Sequence, residues 1–224
     1  MHEKLPAWVG AGAFTLAFSA GVVNVFTFES VLHQSVTHHS GSASVMMLAL
    51  AQGRWELAGR LAALILAFVF GSVVSGAVIR DYHLRLGRRY GLCLMAESLA
   101  ILSAWSMFHR LPGLAQLILA AASGLQNALA TTYSGAVIRT THLTGVFTDL
   151  GVALGNSLAG IAVPKRKLEL LLAILAGFLA GGLTSGLLYP RWGSAVLAIP
   201  AAFTGVAGLA YFIYRHGSEG RQGR

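Results

Sequence analysis

Charge is what this chain has least of. Of its 224 residues 11% are charged, against 55% hydrophobic, and the mean hydropathy is +0.67. A soluble domain carries about a quarter charged residues, so the composition sets a soluble globular fold aside. Cysteine is nearly absent: Cys93 stands alone in an apolar stretch, which excludes an internal disulfide. No tight spacing of the H-E-x-x-H kind occurs, and neither a metal centre nor a cofactor is expected. Lysine and arginine outnumber the acids 16 to 8, for a net charge of +8, yet no aromatic residues interleave with them. The excess therefore reads as cytoplasmic loop charge, not as a nucleic-acid surface. The first apolar stretch lacks a strongly basic start and a small-x-small cleavage site, so it is expected to stay as a span rather than leave as a signal peptide.

Long apolar runs are what the chain has instead. They cover residues 5–28, 61–79, 91–108, 111–131, 168–189 and 195–214. Each is close to the roughly 20 residues an α-helix needs to cross about 30 Å of hydrocarbon. The expectation is an all-α membrane protein with six transmembrane helices.

The chain also repeats itself. "SAGVVNV" (Ser19 to Val25) aligns with "ASGLQNA" (Ala122 to Ala128), matching Gly21 to Gly124 and Asn24 to Asn127. "THHSG" (Thr37 to Gly41) aligns with "THLTG" (Thr141 to Gly145), and "FGSVVSG" (Phe70 to Gly76) with "AGGLTSG" (Ala180 to Gly186). Three matches in one order divide the chain into halves, residues 1–110 and 111–214, ahead of a cytoplasmic tail at 215–224. Each half holds three spans and, between its first and second, a polar-interrupted segment: residues 29–53 and 132–160.

The helical part of each segment is too short to cross alone, so it either re-enters or forms part of a broken crossing helix. Charge decides between these. The basic clusters "RDYHLRLGRR" (80–89), "PKRK" (164–167) and the tail fall together on the cytoplasmic side only if both segments re-enter. Both termini then lie inside. Three spans is an odd number, so the halves form two inverted-topology repeats, each with a re-entrant broken helix.

Irregular backbone at membrane depth is tolerated only in protein or along a wet cavity. A polar break in each inverted half would bring two half-helix N-termini towards one central site. Ser40 and Thr144 are expected as N-caps, followed by Gly41 and Gly145 for close backbone approach. Free N–H groups and the positive dipole end favour an anionic or strongly polar guest. The expected solute site is Thr37, His38, Ser40, Gly41 and Ser44 with Thr141, His142, Thr144, Gly145 and Thr148. The alternative for these hydroxyls is bonding back to their own helix. Asn24 and Asn127 either face the cavity or bond across helices. His38 and His142 correspond, whereas His33 and His39 occur only in the first half; each either faces the pore or packs in the core.

Three charged residues fall at membrane depth, where charges are paired or functional: Glu97, Arg139 and Asp149. Asp149 aligns with Val45, and it either carries a coupling proton or pairs with Arg139. Small residues spaced by four, Gly177–Gly181–Ser185, Gly71–Ser75 and Ser72–Gly76, mark close contacts inside the repeat or a homodimer face.

"SAGVVNVFTF" and "HQSVTHHSGSAS", followed by "SGLQNALATTYSGAVIRTTHLTGVFTDLG", resemble the YoaK-like family of bacterial inner-membrane proteins of unknown function, over nearly the whole chain. In the first motif Ser40-Gly41 stands where that family has Thr-Gly. The resemblance implies a six-span inner-membrane protein and supplies no substrate. On architecture, the expected function is a transporter or facilitator of a small polar or anionic solute, as carrier or passive channel. The alternatives are a membrane enzyme, for which no nucleophile–base spacing emerges, and a non-transporting scaffold or sensor.

Overall fold

The computed structural model describes residues 7–30, 33–79, 88–133 and 141–222, and every element among them is helical. The helices are α1 (Ala7–Glu29), α2 (His39–Ala51), α3 (Trp55–Ile79), α4 (Arg88–Met107), α5 (Pro112–Tyr133), α6 (Leu143–Leu158), α7 (Lys165–Trp192) and α8 (Ala198–Gln222). A 3-10 turn, Gly193–Leu197, joins α7 to α8, and Gly193 takes a positive φ of 52° there. Five helical stretches are long and apolar enough to cross a membrane; the fifth, Lys165–Ile213, is 49 residues and contains most of both α7 and α8.

The two short helices are of a different kind. With 13 and 16 residues and a rise of about 1.5 Å each, α2 and α6 extend about 20 and 24 Å. That falls short of a hydrocarbon core. Both stop in the same way. Gly53 and Gly160 adopt φ of 70° and 75°, and the next amide reaches back across the turn: Arg54 N–H to the Ala49 carbonyl and Ile161 N–H to the Asn156 carbonyl, each at 2.8 Å. Glycine suits such a turn because it has no Cβ to crowd the left-handed conformation.

Apolar side chains face outward as well as inward. Leu66, Val69, Phe70 and Val73 on α3, Leu179, Leu183 and Leu187 on α7, and Val206, Leu209 and Ile213 on α8 are all exposed. Their spacing of three and four places each set on one helix face. Stripes of this kind, repeated around a bundle, have no place in water; with the apolar helices they are consistent with a multi-pass membrane protein.

Helix α1 packs along α7, α3 along α5, and α4 against α8 and α5, while α2 leans on α3 and α6 on α7. Phe14 meets Gly177, Phe18 meets Gly181 and Phe26 meets Tyr189, so α1 and α7 run parallel. Leu61 and Leu64 share a core cluster with Ala115 and Leu119, and Ile79 shares another with Leu125 and Leu129, so α3 and α5 are parallel too. Gly91 lies on Gly208 while the Ser98 hydroxyl donates to the Ala201 carbonyl at 2.7 Å, so α4 and α8 are antiparallel.

Glycine makes these crossings tight. A Cβ at Gly71 would collide with the Ala121 carbonyl oxygen, at Gly124 with that of Phe68, at Gly21 with that of Phe178, and at Gly181 with that of Phe18. Ser75 and Ser185 are fully buried one turn on. The expected small-residue contacts are thus used within the chain at Gly71, Ser75, Gly177, Gly181 and Ser185. Ser72 adds a hydrogen bond to the Gly124 carbonyl at 3.1 Å, whereas Gly76 meets open space.

Gly71→Ala is accordingly expected to lower stability by about 3 kcal/mol or more, because a backbone carbonyl cannot step aside. Gly76→Ala should leave it unchanged or raise it by up to about 1 kcal/mol through helix propensity. Thermal unfolding of the two variants in detergent checks this, and equal responses would contradict the crossing.

Candidate functional site

The first motif reaches the middle of the bundle. His38 meets the ring of Phe178 edge-on at 5.5 Å, and His39 meets Phe68 at 4.7 Å. Phe178 and Phe68 stand near the midpoints of the 28-residue α7 and the 25-residue α3. Before the motif the chain turns back at the end of α1, where His33 takes a φ of 47° and its Nδ1 lies 3.0 Å from the Phe28 carbonyl. His33 therefore belongs to that turn.

Asn24 of α1 holds the returning segment. The Ser35 hydroxyl accepts the amides of Thr37 and His38 at 3.3 and 3.0 Å, so its own proton goes to Asn24 Oδ1. Thr37 Oγ1 lies 2.7 Å from the same Oδ1 and must also donate to it. Thr37 Oγ1 also lies 2.7 Å from His38 Nδ1, and the His38 ring is hydrogen-bonded to the Thr141 backbone as well, so this imidazole bridges the two motifs. In the second motif Asn127 of α5 takes the place of Asn24: the Thr141 hydroxyl donates to its Oδ1 at 3.0 Å.

These anchors set where the short helices begin. With Thr37 and Thr141 tied down, the last non-helical residues are His38 (φ −124°, ψ 97°) and His142 (φ −89°, ψ 64°). The expectation that Ser40 and Thr144 serve as N-caps is corrected here. Each is the second residue inside its helix, and no side chain caps either first turn. The hydroxyls one turn later, Ser44 and Thr148, bond back to the carbonyls of Ser40 and Thr144 at 3.1 and 2.9 Å.

One cavity of about 530 Å³ receives both motifs, lined by Thr37, His38, His39, Ser40, Asn127, Thr131, Thr141, His142 and Thr144. It collects seven of the expected residues and adds His39 and Thr131, and among the described residues no carboxylate lines it. Gly41, Ser44, Gly145, Thr148 and Asn24 are not part of its lining. A Cβ at Gly145 would meet His142 Nδ1, so this glycine makes room for the imidazole, whereas Gly41 meets nothing. Among the described residues no group of three His, Cys, Asp or Glu could hold a metal ion.

The charged candidates lie elsewhere. Asp149 is 3.3 Å from Lys167 Nζ of the "PKRK" run, both about half exposed. Such a pair contributes about 1 kcal/mol at most. Arg139 lies outside the described residues. Glu97 is buried in the middle of α4. His39, Thr131 and the rings of Phe68 and Phe178 were not singled out as site residues by the sequence. The signal for Thr131 was its place one turn after Asn127; for the phenylalanines there was none, because lipid-facing aromatics read the same.

Comparison with known proteins gives one match. A family model described as a protein of unknown function (DUF1275) matches residues 12–210, and its description names no catalytic activity. No curated protein and no solved structure matches the chain.

Replacing Asn24 with leucine removes the acceptor of two hydroxyls and is expected to cost about 1–3 kcal/mol. Ser44→Ala, which breaks only a bond within its own helix, should stay within about 0.5 kcal/mol. Unfolding in detergent compares the two.

Proposed function

We propose, for a chain that belongs to the DUF1275 family of unknown function, that it is a membrane transporter or facilitator of a small anionic or polar solute. The solute sits midway through the bilayer between the first turns of α2 and α6. The observation that carries this reading is the shared cavity: hydroxyl, imidazole and amide groups converge from both motifs and no carboxylate opposes them. Uncapped helix starts add donor N–H groups and the positive dipole end. Carrier and passive pore would share this site.

The reading includes six spans, with Lys165–Ile213 taken as two, and two re-entrant helices in inverted halves. Its support is that contacts come in exchangeable pairs. Gly21 on Phe178 answers Gly124 on Phe68; Gly71 on Ala121 answers Gly181 on Phe18. Asn24 with Thr37 answers Asn127 with Thr141. Direction supports re-entry independently. Were α2 and α6 to cross, each half would have four crossings and α4 and α8 would point the same way; they are antiparallel. The likeness to the YoaK-like family adds a bacterial inner membrane to this reading, and the basic clusters put both termini on the cytoplasmic side.

Purified protein in liposomes, assayed with radiolabelled monocarboxylates and inorganic oxyanions beside a neutral polyol, tests the function. Flux of at least one anion is expected, and Ser40→Val with Thr144→Val should reduce it at least about tenfold by removing two donors. Undiminished flux in that folded double variant, or none in the parent, would reject the site. Topology has its own test. Single cysteines at positions 84 and 166 should react with an impermeant thiol reagent from one side, and a cysteine at 54 from the other.

A further inference from the structure

Glu97 stands at the middle of α4 with 1% of its surface exposed, and its Oε2 has no hydrogen-bond partner. Among the described residues nothing charged faces it from the helices packed on α4, which are α8, α5 and α3 together with the 3-10 turn. Residues 112–133, 193–197 and 198–213 contain no Lys, Arg, His, Asp or Glu. On α3 the charged pair Glu56 and Arg60 lies in the first turns and is bonded to itself. On α4 the described ionisable neighbours are Arg89 and Tyr90 at its start and Cys93 one turn before Glu97, with Tyr211 of α8 in the adjoining apolar cluster. His109, beyond the end of α4, is 3.0 Å from the Ser194 hydroxyl.

A carboxylate without a cation or donors in such a place costs many kcal/mol, so in this conformation the side chain carries its proton. A neutral acid with an unmet oxygen does not stabilise the bundle either; an apolar residue of like size would serve better. The group makes physical sense if a second conformation uses its charge. Tyr90, Cys93, Ile101 and Ala104, on the same face of α4, are buried in clusters with residues of α3 and α5. We propose that Glu97 is a proton-binding site, separate from the solute cavity, that releases its proton to water only when the helices packed on this face of α4 part. The step is a simple dissociation, in which the O–H bond breaks, the electron pair stays on the carboxylate and water takes the proton. Any conformational cycle that opens this face then releases and rebinds one proton per turn, whether or not the central cavity takes an anion.

A hydrophobic carbodiimide, which adds across its C=N bond only to a protonated carboxyl, reads this out on the full chain in liposomes. Mass spectrometry should find the adduct on Glu97 at about pH 6 and at least about fivefold less at about pH 9. Glu97→Gln, matching the neutral acid in shape, should remove the adduct and unfold at the parent's temperature. Labelling that does not change with pH would mean a permanently neutral structural acid and overturn the proposal, as would folded protein in which Glu97 is never labelled. Because the pH profile belongs to the parent protein, failure of the variant to fold leaves the test intact. Anion flux is measured separately, so loss of one reading does not carry the other with it.

Discussion

At Gly21 and Gly124 the carbonyl of a neighbouring helix fills the space in which any other residue would carry its Cβ. In a lipid phase burial of apolar surface gives helices no reason to associate, and close backbone packing has to do it. Here the same contact also builds the site. The carbonyl against Gly21 is that of Phe178, whose ring meets His38; the carbonyl against Gly124 is that of Phe68, whose ring meets His39. Main chain fixes the crossing and side chain fixes the histidine, in one residue. A shift of α7 relative to α1, or of α3 relative to α5, therefore reaches the first motif directly.

Non-helical backbone inside an apolar bundle, as at residues 33–38 and at 141–142, needs partners, since each unmet amide in such a place costs several kcal/mol. The asparagines answer that need. Asn24 gathers Ser35 and Thr37, and through them the amides of Thr37 and His38; Asn127 gathers Thr141. Individually such bonds contribute about 1 kcal/mol, but their arrangement determines which residue stays extended and hence where each short helix starts. The turn at the far end is closed by Gly53 and Gly160 in matching conformations. What remains open is the first turn, and that is where the cavity lies.

Much of this was legible in the sequence for a physical reason. Apolar runs announce long helices because hydrocarbon thickness sets their length, and the observed ends differ from the expected ones by a few residues for most spans. The Thr-His motif stands twice in the sequence, and both copies line one cavity. Other features depend on packing across long sequence separations. Asp149 finds Lys167 only because α6 folds back on α7. Ser40 was read as a cap from its residue type, but a distant asparagine moved the start of the helix. Phe68 and Phe178 differ from exposed Phe70 in nothing but the face of the helix they occupy.

The two Thr-His motifs are not chemically equal, and the difference bears on what the cavity can hold. His39 stands where Leu143 stands in the second half, and its ring occupies Phe68. Exchange of the halves would have given Phe68 to His142, as Phe178 is given to His38. Instead His142 is exposed with its ring over Gly145, whereas His38 is fixed through Nδ1 by Thr37. One imidazole is held by Thr37 and stands against Phe178, and the other lies at the exposed side over Gly145. Within the proposed reading, a solute meets a buried, tethered imidazole from the first motif and a more exposed one from the second. Such a pair suits a guest without twofold symmetry of its own, because the two ends of the guest meet different surroundings.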